Sequence, residues 1–528
     1  MFQDLNLRAL ALELGIGLAL ALIAAEYALS YNIFSQALPQ DTTYHIYAAQ
    51  QILEGHAIYR DVAIIKAPLS DFVTAFALAF GRAAGISDIM SARLMSLLIA
   101  VGTTLTTYWA GRALFHSRTV GLIAGLLMAG WDFYGLRAVT GPEPKAFLIL
   151  FAMPALVFIA QKRWFAAGVC AALATLAWQP GLMVAALTAT AAFLAPWLDQ
   201  ERAPRARVAR AGLGNVGRVL GGAALPFALV AVYLAWNDAL MPAWNATIGA
   251  NLTHFNNEQA RAPLWQIARD NLVEIFVTDA RYCYSPQENW LWLTGALGFG
   301  GILALQIRDA RRAKRAPVDL ERTPFILYAL GFIAFSLIDF DFCPDLFPLL
   351  PIVAISNGWL AWRLARAAGR LANELFPRFQ PRVVQWALTG VIVLALAYVY
   401  LWDVRNYTVT GTNFQDQLYA VEIAKKYLAP GDTVLSFGNA IILVELQMSN
   451  ASKIIHLGSK SGQGVLAFEP GGIQGMVYDL NLKPPKLITL ARDKELEWAA
   501  PFYAWLNEFY EPAETLPRAG IKFYVRKP

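Results

Sequence analysis

Long apolar stretches set the pattern of this chain. Runs long enough to cross a bilayer, or nearly so, lie at about 9–30, 89–115, 119–136, 144–160, 164–178, 180–198, 219–236, 290–307, 323–338, 346–362 and 383–402, judged against the roughly 20 residues a spanning helix needs. One further stretch, LSDFVTAFALAFGRAAGIS at 69–87, is broken by Asp71 and Arg82 and is rich in glycine and alanine. Beyond residue 402 the pattern changes. Residues 403–528 are polar enough for water, and short β-branched runs (DTVLSF, KIIHL, KLITL, IKFYVRK) alternate with amphipathic stretches such as APFYAWLNEFY. That rhythm predicts a small α/β domain with a largely parallel sheet. Pro430-Gly431-Asp432 supplies a turn into its first strand. The expected architecture is mostly α. Residues 1–402 form a polytopic membrane domain of about eleven helices, with outer loops at 31–88 and 237–289 and juxtamembrane helices in the first loop. Residues 403–528 form a C-terminal soluble α/β domain.

Composition agrees with this pattern. The chain is 57% hydrophobic and 15% charged, where a soluble domain carries about 25% charged residues. The net charge of +5 is concentrated in short segments between apolar runs. Arg202, Arg205, Arg207, Arg210 and Arg218 share one of them, and Arg308, Arg311, Arg312, Lys314, Arg315 and Arg322 another. Arg363, Arg366, Arg370, Arg378 and Arg382 share a third. Such placement marks cytoplasmic loops and argues against a nucleic-acid partner. Parity then decides the ambiguous stretch. If 69–87 spans, all three basic loops fall outside. If it lies along the interface, the N-terminus and all three loops are cytoplasmic and the C-terminal domain is extracytoplasmic, which satisfies the positive-inside rule. The expected location is therefore the cytoplasmic (inner) membrane, multi-pass. The N-terminal run has one Arg before it and no small-residue cleavage site, so it reads as a retained first span. Its Glu13 and Glu26 are expected to face the protein interior.

This topology gathers polar groups at one membrane face. The segment after the first span, QDTTYHIYAAQQILEGHAIYRDVAIIKAPL, holds Asp41, His45, His56, Arg60, Asp61 and Lys66. Charges beside a bilayer are costly to desolvate, so they tend to serve a ligand or a partner. Asp41 suits a helix start, and a carboxylate held there could also take a proton as a general base. His45 lies four residues on, on the same helix face, where a hydrogen-bonded orienting role is expected. Lys66 could snorkel towards headgroups or offer a compact charge to a lipid phosphate. Glu143, in TGPEPKAF, suits a helix N-terminus. Asp132 and Arg137 lie just before it, and a pair between them would hide a charge near the interface. Asp339, Asp341 and Asp345 crowd one outer turn without basic neighbours in sequence. They could hold a divalent cation through oxygen ligands, although a solvated acidic turn is the commoner outcome. An oxidising outer compartment permits a bridge between Cys283 and Cys343.

The loop that carries Asp41 and Lys66 resembles the first external loop of the GT-C glycosyltransferases. The likeness is to the branch of protein mannosyltransferases and lipid-A aminoarabinose transferases. In these an Asp follows the first span and a Lys-Pro element follows later. The resemblance extends to Glu143-Pro144, similar to the family's acidic-Pro element, and to TLAWQPG, similar to its Thr-Lys-Gln turn. Two positions depart from the pattern. Asp41 is flanked by Gln40 and Thr42 where many relatives have an acidic pair, and Trp178 stands where the lysine is usual. The resemblance implies a membrane enzyme that moves a sugar from a polyprenyl-phosphate donor to an acceptor (lipid, glycan or protein) on the outer side, with inversion. It implies Asp41 as base, Lys66 on the leaving phosphate, and Glu143 as a second catalytic acid that orients donor or acceptor. His45, Arg60, Asp61, Asp132, Arg137 and Gln179 are the surrounding candidates. No cofactor is required by this reading, though a divalent cation is compatible with it. The alternative is a non-catalytic membrane subunit that keeps the fold and serves a larger complex.

Overall fold

The computed structural model describes residues 7–199, 204–250, 263–278, 286–312, 319–340, 342–378, 380–406, 413–457, 460–491, 495–516, 518 and 520–528. Every apolar stretch read from the sequence falls on a helix. They begin with α1 (Leu7–Ser30), and α2 (Gln40–Leu53) and α3 (Leu69–Ala83) follow in the first loop. The bundle continues through α4 (Asp88–Phe115), α5 (Arg118–Ala129), α6 (Asp132–Thr140), α7 (Pro144–Ala160), α8 (Trp164–Ala177), α9 (Leu182–Asp199) and α10 (Arg205–Trp236). Helices at Pro286–Arg312, Arg322–Ile338, Leu350–Leu375 and Pro381–Asn406 complete it. Among the described residues six helices are long and apolar enough to cross a membrane, or seven if the pair α5–α6, bent by 65°, is one span. Shorter apolar helices at Pro144–Ala160, Trp164–Ala177, Arg322–Ile338 and Pro381–Leu396 pack among them. The chain is a multi-pass membrane protein.

The ambiguous stretch folds as the 15-residue α3. At about 1.5 Å per residue it falls short of the roughly 30 Å hydrocarbon core. Its Asp71 is fully buried. Within α1, Glu13 turns inward as expected. It accepts hydrogen bonds from Tyr108 Oη (2.6 Å) and Arg118 Nε (2.6 Å) and pairs with Arg112 (2.9 Å). Glu26 does the opposite. It is exposed, because Tyr27 and Ala28 take the inward positions on that turn.

Two large hydrophobic cores divide the molecule. One fills the helical bundle, with Trp131, Phe147, Phe325 and Phe332 at its centre. The other joins the first loop to the C-terminal domain, with Tyr44, Ile46, Tyr47 and Leu78 on the loop side and Val434, Leu435, Ile488, Phe502 and Phe523 on the domain side. Burying a side chain of this size contributes about 1.5–3 kcal/mol, so the loop is held as firmly as a core element. The C-terminal sheet has the order β1-β2-β4-β3, from β1 (Val434–Phe437), β2 (Leu487–Leu490), β3 (Tyr510–Leu516) and β4 (Ile521–Arg526). The pair β1–β2 is parallel, whereas β2–β4 and β3–β4 are antiparallel. The sheet is therefore mixed rather than largely parallel. Only a few residues separate β3 from β4, and so short a connection allows only an antiparallel hairpin. KIIHL is not a strand; it forms an extended segment held by Gly438 N–H donating to Ile455 O at 2.7 Å.

Candidate active site

The site is organised at the first turn of α2. Pro39 precedes the helix with an extended backbone (φ −56°, ψ 151°), and Asp41 lies in the first turn, where the helix dipole favours a negative charge. Thr42 to Gln51 are all buried. Buried polar side chains need partners, and those of α2 find them in the C-terminal domain. Thr43 Oγ1 accepts from Ala440 N–H at 3.1 Å, and Gln50 Nε2 donates to Val444 O at 3.0 Å. Gln51 Oε1 accepts from Ser449 Oγ at 3.1 Å, and Tyr47 Oη accepts from Asn450 N–H at 2.8 Å. The helix start is thereby fixed from outside the membrane bundle.

Lys66 Nζ donates to Asp41 Oδ2 at 2.9 Å, with 22% of the Lys66 side chain and 48% of the Asp41 side chain exposed. The sequence separates them by one loop; the fold makes them an ion pair. The Lys66 ammonium holds the Asp41 carboxyl well below the usual carboxylate range. Burial opposes this, while His456 and Arg137 add to it. The backbone beside Lys66 is pinned on two sides. Gln179 Nε2 donates to Ile65 O, and Tyr59 Oη donates to Lys66 O at 2.8 Å.

A second group of charges lies against this pair. Arg137 Nε donates to Glu143 Oε2 at 3.4 Å, and Glu143 also caps α7 by accepting from Lys145 N–H at 3.4 Å. Glu143 is 5% exposed. Lys145 Nζ pairs with Asp345 Oδ1 at 2.8 Å and lies 5.0 Å from the centroid of the Trp178 ring. Between these groups and α2 sits Gly141. A Cβ there would come within 2.1 Å of Thr42 Cγ2, so the junction between α6 and α7 approaches α2 this closely because position 141 is glycine.

Other expected residues are held elsewhere. His45 does not face Asp41. Its Nδ1 lies 2.6 Å from Asp71 Oδ1, both side chains fully buried, which ties α2 to α3. Arg60 and Asp61 pair with each other at 2.8 Å near the surface, and Arg60 also donates to Asn237 O at 2.7 Å. Asp132 and Arg137 do not pair with each other. Asp132 accepts from Tyr27 Oη and from Tyr31 Oη (2.6 Å) at the end of α1, which leaves Arg137 to Glu143. Asp345, expected in an acidic turn without basic neighbours, has Lys145 as a partner in space, so the turn does not assemble as a set of carboxylate ligands. Asp341 lies outside the described residues, and among those described no group of three or more His, Cys, Asp or Glu is placed to hold a metal ion. Cys343 is disulfide-bonded and Cys170 is a free thiol, while Cys283 lies outside the described residues.

No family model and no curated protein sequence matches this chain. Solved structures do. ArnT from Cupriavidus metallidurans bound to undecaprenyl phosphate aligns over 98% of both chains with a TM-score of 0.53 and 14% identity. The archaeal oligosaccharyltransferase AglB from Archaeoglobus fulgidus, in complex with an inhibitory peptide and a dolichol-phosphate, aligns over 94% of this chain and 72% of its own. Its TM-score is 0.53 and its identity 14%. The same archaeal enzyme in complex with Zn and sulfate gives a TM-score of 0.54 at 15% identity. The chain has the GT-C fold.

Within this GT-C fold, three side-chain contacts around the site escape a reading of the sequence. Gln40 Nε2 lies 2.8 Å from His456 Nδ1, which joins residues 416 positions apart. Lys145 was hidden inside the apolar run that follows Glu143, and Asp345 looked unpaired. Each needs a contact between distant segments, and no local spacing announces it. The one available signal was the loss of the usual lysine at Trp178, because the fold brings Lys145 over that same indole.

Proposed function

We propose that this protein is an integral membrane glycosyltransferase that takes a sugar from a polyprenyl-phosphate donor. The observation that carries the reading is the 2.9 Å pair between Asp41 and Lys66. In the proposed reaction an acceptor hydroxyl oxygen attacks the anomeric carbon from the face opposite the phosphate. The bond between the anomeric carbon and the phosphate oxygen breaks, and that oxygen keeps the electron pair as polyprenyl phosphate. The hydroxyl proton passes to Asp41, and the sugar is inverted.

Pairing with Lys66 makes Asp41 a weak base while no donor is bound. A donor phosphate at Lys66 shares the ammonium charge and so removes the largest influence that keeps Asp41 acidic. Donor binding thereby strengthens the base it is about to need, and Lys66 gains most as charge builds on the leaving phosphate. Buried and engaged, Glu143 acts through Arg137 rather than on substrate. The lipid tail would lie between helices, with membrane lipids as its surroundings.

The location that fits the arginine-rich loops is the cytoplasmic membrane, with the N-terminus cytoplasmic and the C-terminal domain and site extracytoplasmic. The acceptor is then a lipid, glycan or protein of the cell envelope. The rival, a non-catalytic subunit, drew on the missing second acid beside Asp41 and on the lysine lost at Trp178. Gln40 engages His456 and Lys145 returns a cation to the Trp178 turn, which weakens both arguments. The test is binding of undecaprenyl phosphate to purified protein in nanodiscs, followed by native mass spectrometry. Wild type should retain the lipid and Lys66→Ala should lose it. Equal retention of undecaprenol and undecaprenyl phosphate by wild type would refute a phosphate site.

A further inference from the structure

We propose that the C-terminal domain completes the catalytic site by supplying His456 as a positioning residue, which acts on Asp41 through the side chain of Gln40. The proposal rests on the reading of Asp41 as the base. Its geometry is independent of the sequence motifs that suggested that reading. Gln40 is the first residue of α2, immediately before Asp41, and its amide nitrogen lies 2.8 Å from His456 Nδ1. An amide nitrogen can only donate, so Nδ1 accepts and the neutral ring carries its proton on Nε2. On its other side the His456 ring packs against Tyr44, one turn along α2, at 5.0 Å between centroids. The ring therefore touches α2 on both sides of Asp41.

The domain is built to hold this contact. His456 follows Ile455, whose carbonyl accepts from Gly438 N–H at 2.7 Å at the end of β1. Gly438 has φ +102°, a region that favours glycine. A Cβ there would meet Ala491 Cβ at 2.8 Å and Gln40 Nε2 at 3.1 Å. Ala63 N–H, three residues before Lys66, donates to Lys453 O at 2.8 Å in the same segment. One extended stretch of the domain, 453–456, thus grips the segments that carry both members of the ion pair. The charged groups acting on the Asp41 carboxylate are Lys66 from the first loop and Arg137 from the last turn of α6, and His456 from the domain joins them only when its ring is protonated.

The test uses the full-length protein in nanodiscs with three variants. His456→Phe keeps a ring against Tyr44 but cannot accept from Gln40. His456→Asn places an oxygen close to where Nδ1 was. Gln40→Met removes the donor. Two readouts are taken: turnover of the polyprenyl-phosphate sugar, and the yield of the Asp41–Lys66 amide formed by a zero-length carbodiimide and quantified by peptide mass spectrometry. The second needs no activity, because it reports only whether carboxylate and ammonium stay within bonding reach. Misplacing a reacting group by about 1 Å costs on the order of 10²-fold. His456→Phe should therefore lower kcat by about 10–100-fold with donor KM little changed, and should lower the cross-link yield. His456→Asn should restore both. Adding Gln40→Met to His456→Phe should cost nothing further, as expected of two residues acting through one contact. Wild-type kcat and cross-linking in His456→Phe would overturn the proposal, as would an Asn variant that fails like Phe while remaining folded and binding undecaprenyl phosphate. If wild type consumes no donor, the proposed activity falls. Unchanged cross-linking in His456→Phe would still decide against the positioning role, and a lowered yield restored by Asn would still uphold it.

Discussion

Asp41→Asn separates chemistry from folding at the centre of the site. Asn keeps the shape and the place in the first turn of α2 but cannot take a proton at neutral pH. The loss of stability can be bounded from the pair itself. About half of the Asp41 side chain is exposed, so solvent screens the interaction and the pair contributes about 1 kcal/mol or less. Against a typical stability of about 5–15 kcal/mol, the variant stays folded. A positioned base is worth about 10²–10⁴-fold in rate, or roughly 2.7–5.4 kcal/mol at about 1.36 kcal/mol per decade. The catalytic effect therefore exceeds the structural one by a clear margin. The assay follows consumption of a radiolabelled polyprenyl-phosphate sugar in proteoliposomes, with thermal unfolding and undecaprenyl-phosphate binding as controls. Transfer should fall by at least a hundredfold while the controls hardly move. Turnover within a few-fold of wild type would remove Asp41 as the base, and a collapse of all three measurements would refute the estimate of the pair's structural worth.

Other outcomes follow from the same geometry. Lys66→Ala should move the acid limb of residual kcat/KM to higher pH. Lys66 is the main group holding the Asp41 carboxyl low, and a base works only above its own pKa. Stability follows the same sign. The depressed Asp41 pKa stabilises the fold above the ordinary carboxylate range, and this is lost as pH falls through the folded value, so the variant should lose less stability in acid than wild type. An unmoved acid limb would refute the assignment. Gly141→Ala should destabilise by about 1–3 kcal/mol, the usual effect of overpacking. Its Cβ would strike Thr42, and unchanged thermal unfolding would argue against the tight approach of the α6–α7 junction to α2. For topology, cysteines introduced at His116, Arg205 and Arg370 should resist an impermeant thiol reagent in sealed cells, while one at Lys425 should react. The reverse pattern would place the site on the cytoplasmic side.

The sequence exposed some of this clearly and some not at all. The bundle was legible because each helix meets either lipid or apolar neighbours on its faces, so the apolar runs are continuous and close to the length of a span. Asp41 and Lys66 were legible because both lie in one loop between apolar runs, where charge is costly without a purpose. The docking of helix α2 was not legible, for a physical reason. Its Thr43, Gln50 and Gln51 look like a solvated face, yet they are buried and satisfied by residues near 440–450. Polarity at these positions recorded a docking surface instead of water. The same applies to His45, whose partner Asp71 lies on another helix, and to Asp132, whose partners are tyrosines of α1. Sheet order escaped too, because YEPAETL has the composition of a loop and becomes a strand only by pairing with β4.

The central claim is transfer from a polyprenyl-phosphate sugar, and consumption of the natural donor pool tests it most directly. Labelled polyprenyl-phosphate sugars extracted from the cells that make this protein would be presented to purified protein in proteoliposomes, with an envelope extract as acceptor. The account predicts loss of label from the lipid, its appearance in an envelope acceptor, and release of polyprenyl phosphate, all abolished in the Asp41→Asn, Lys66→Ala double variant. An unchanged lipid pool with folded wild-type protein, or equal consumption by the double variant, would contradict it.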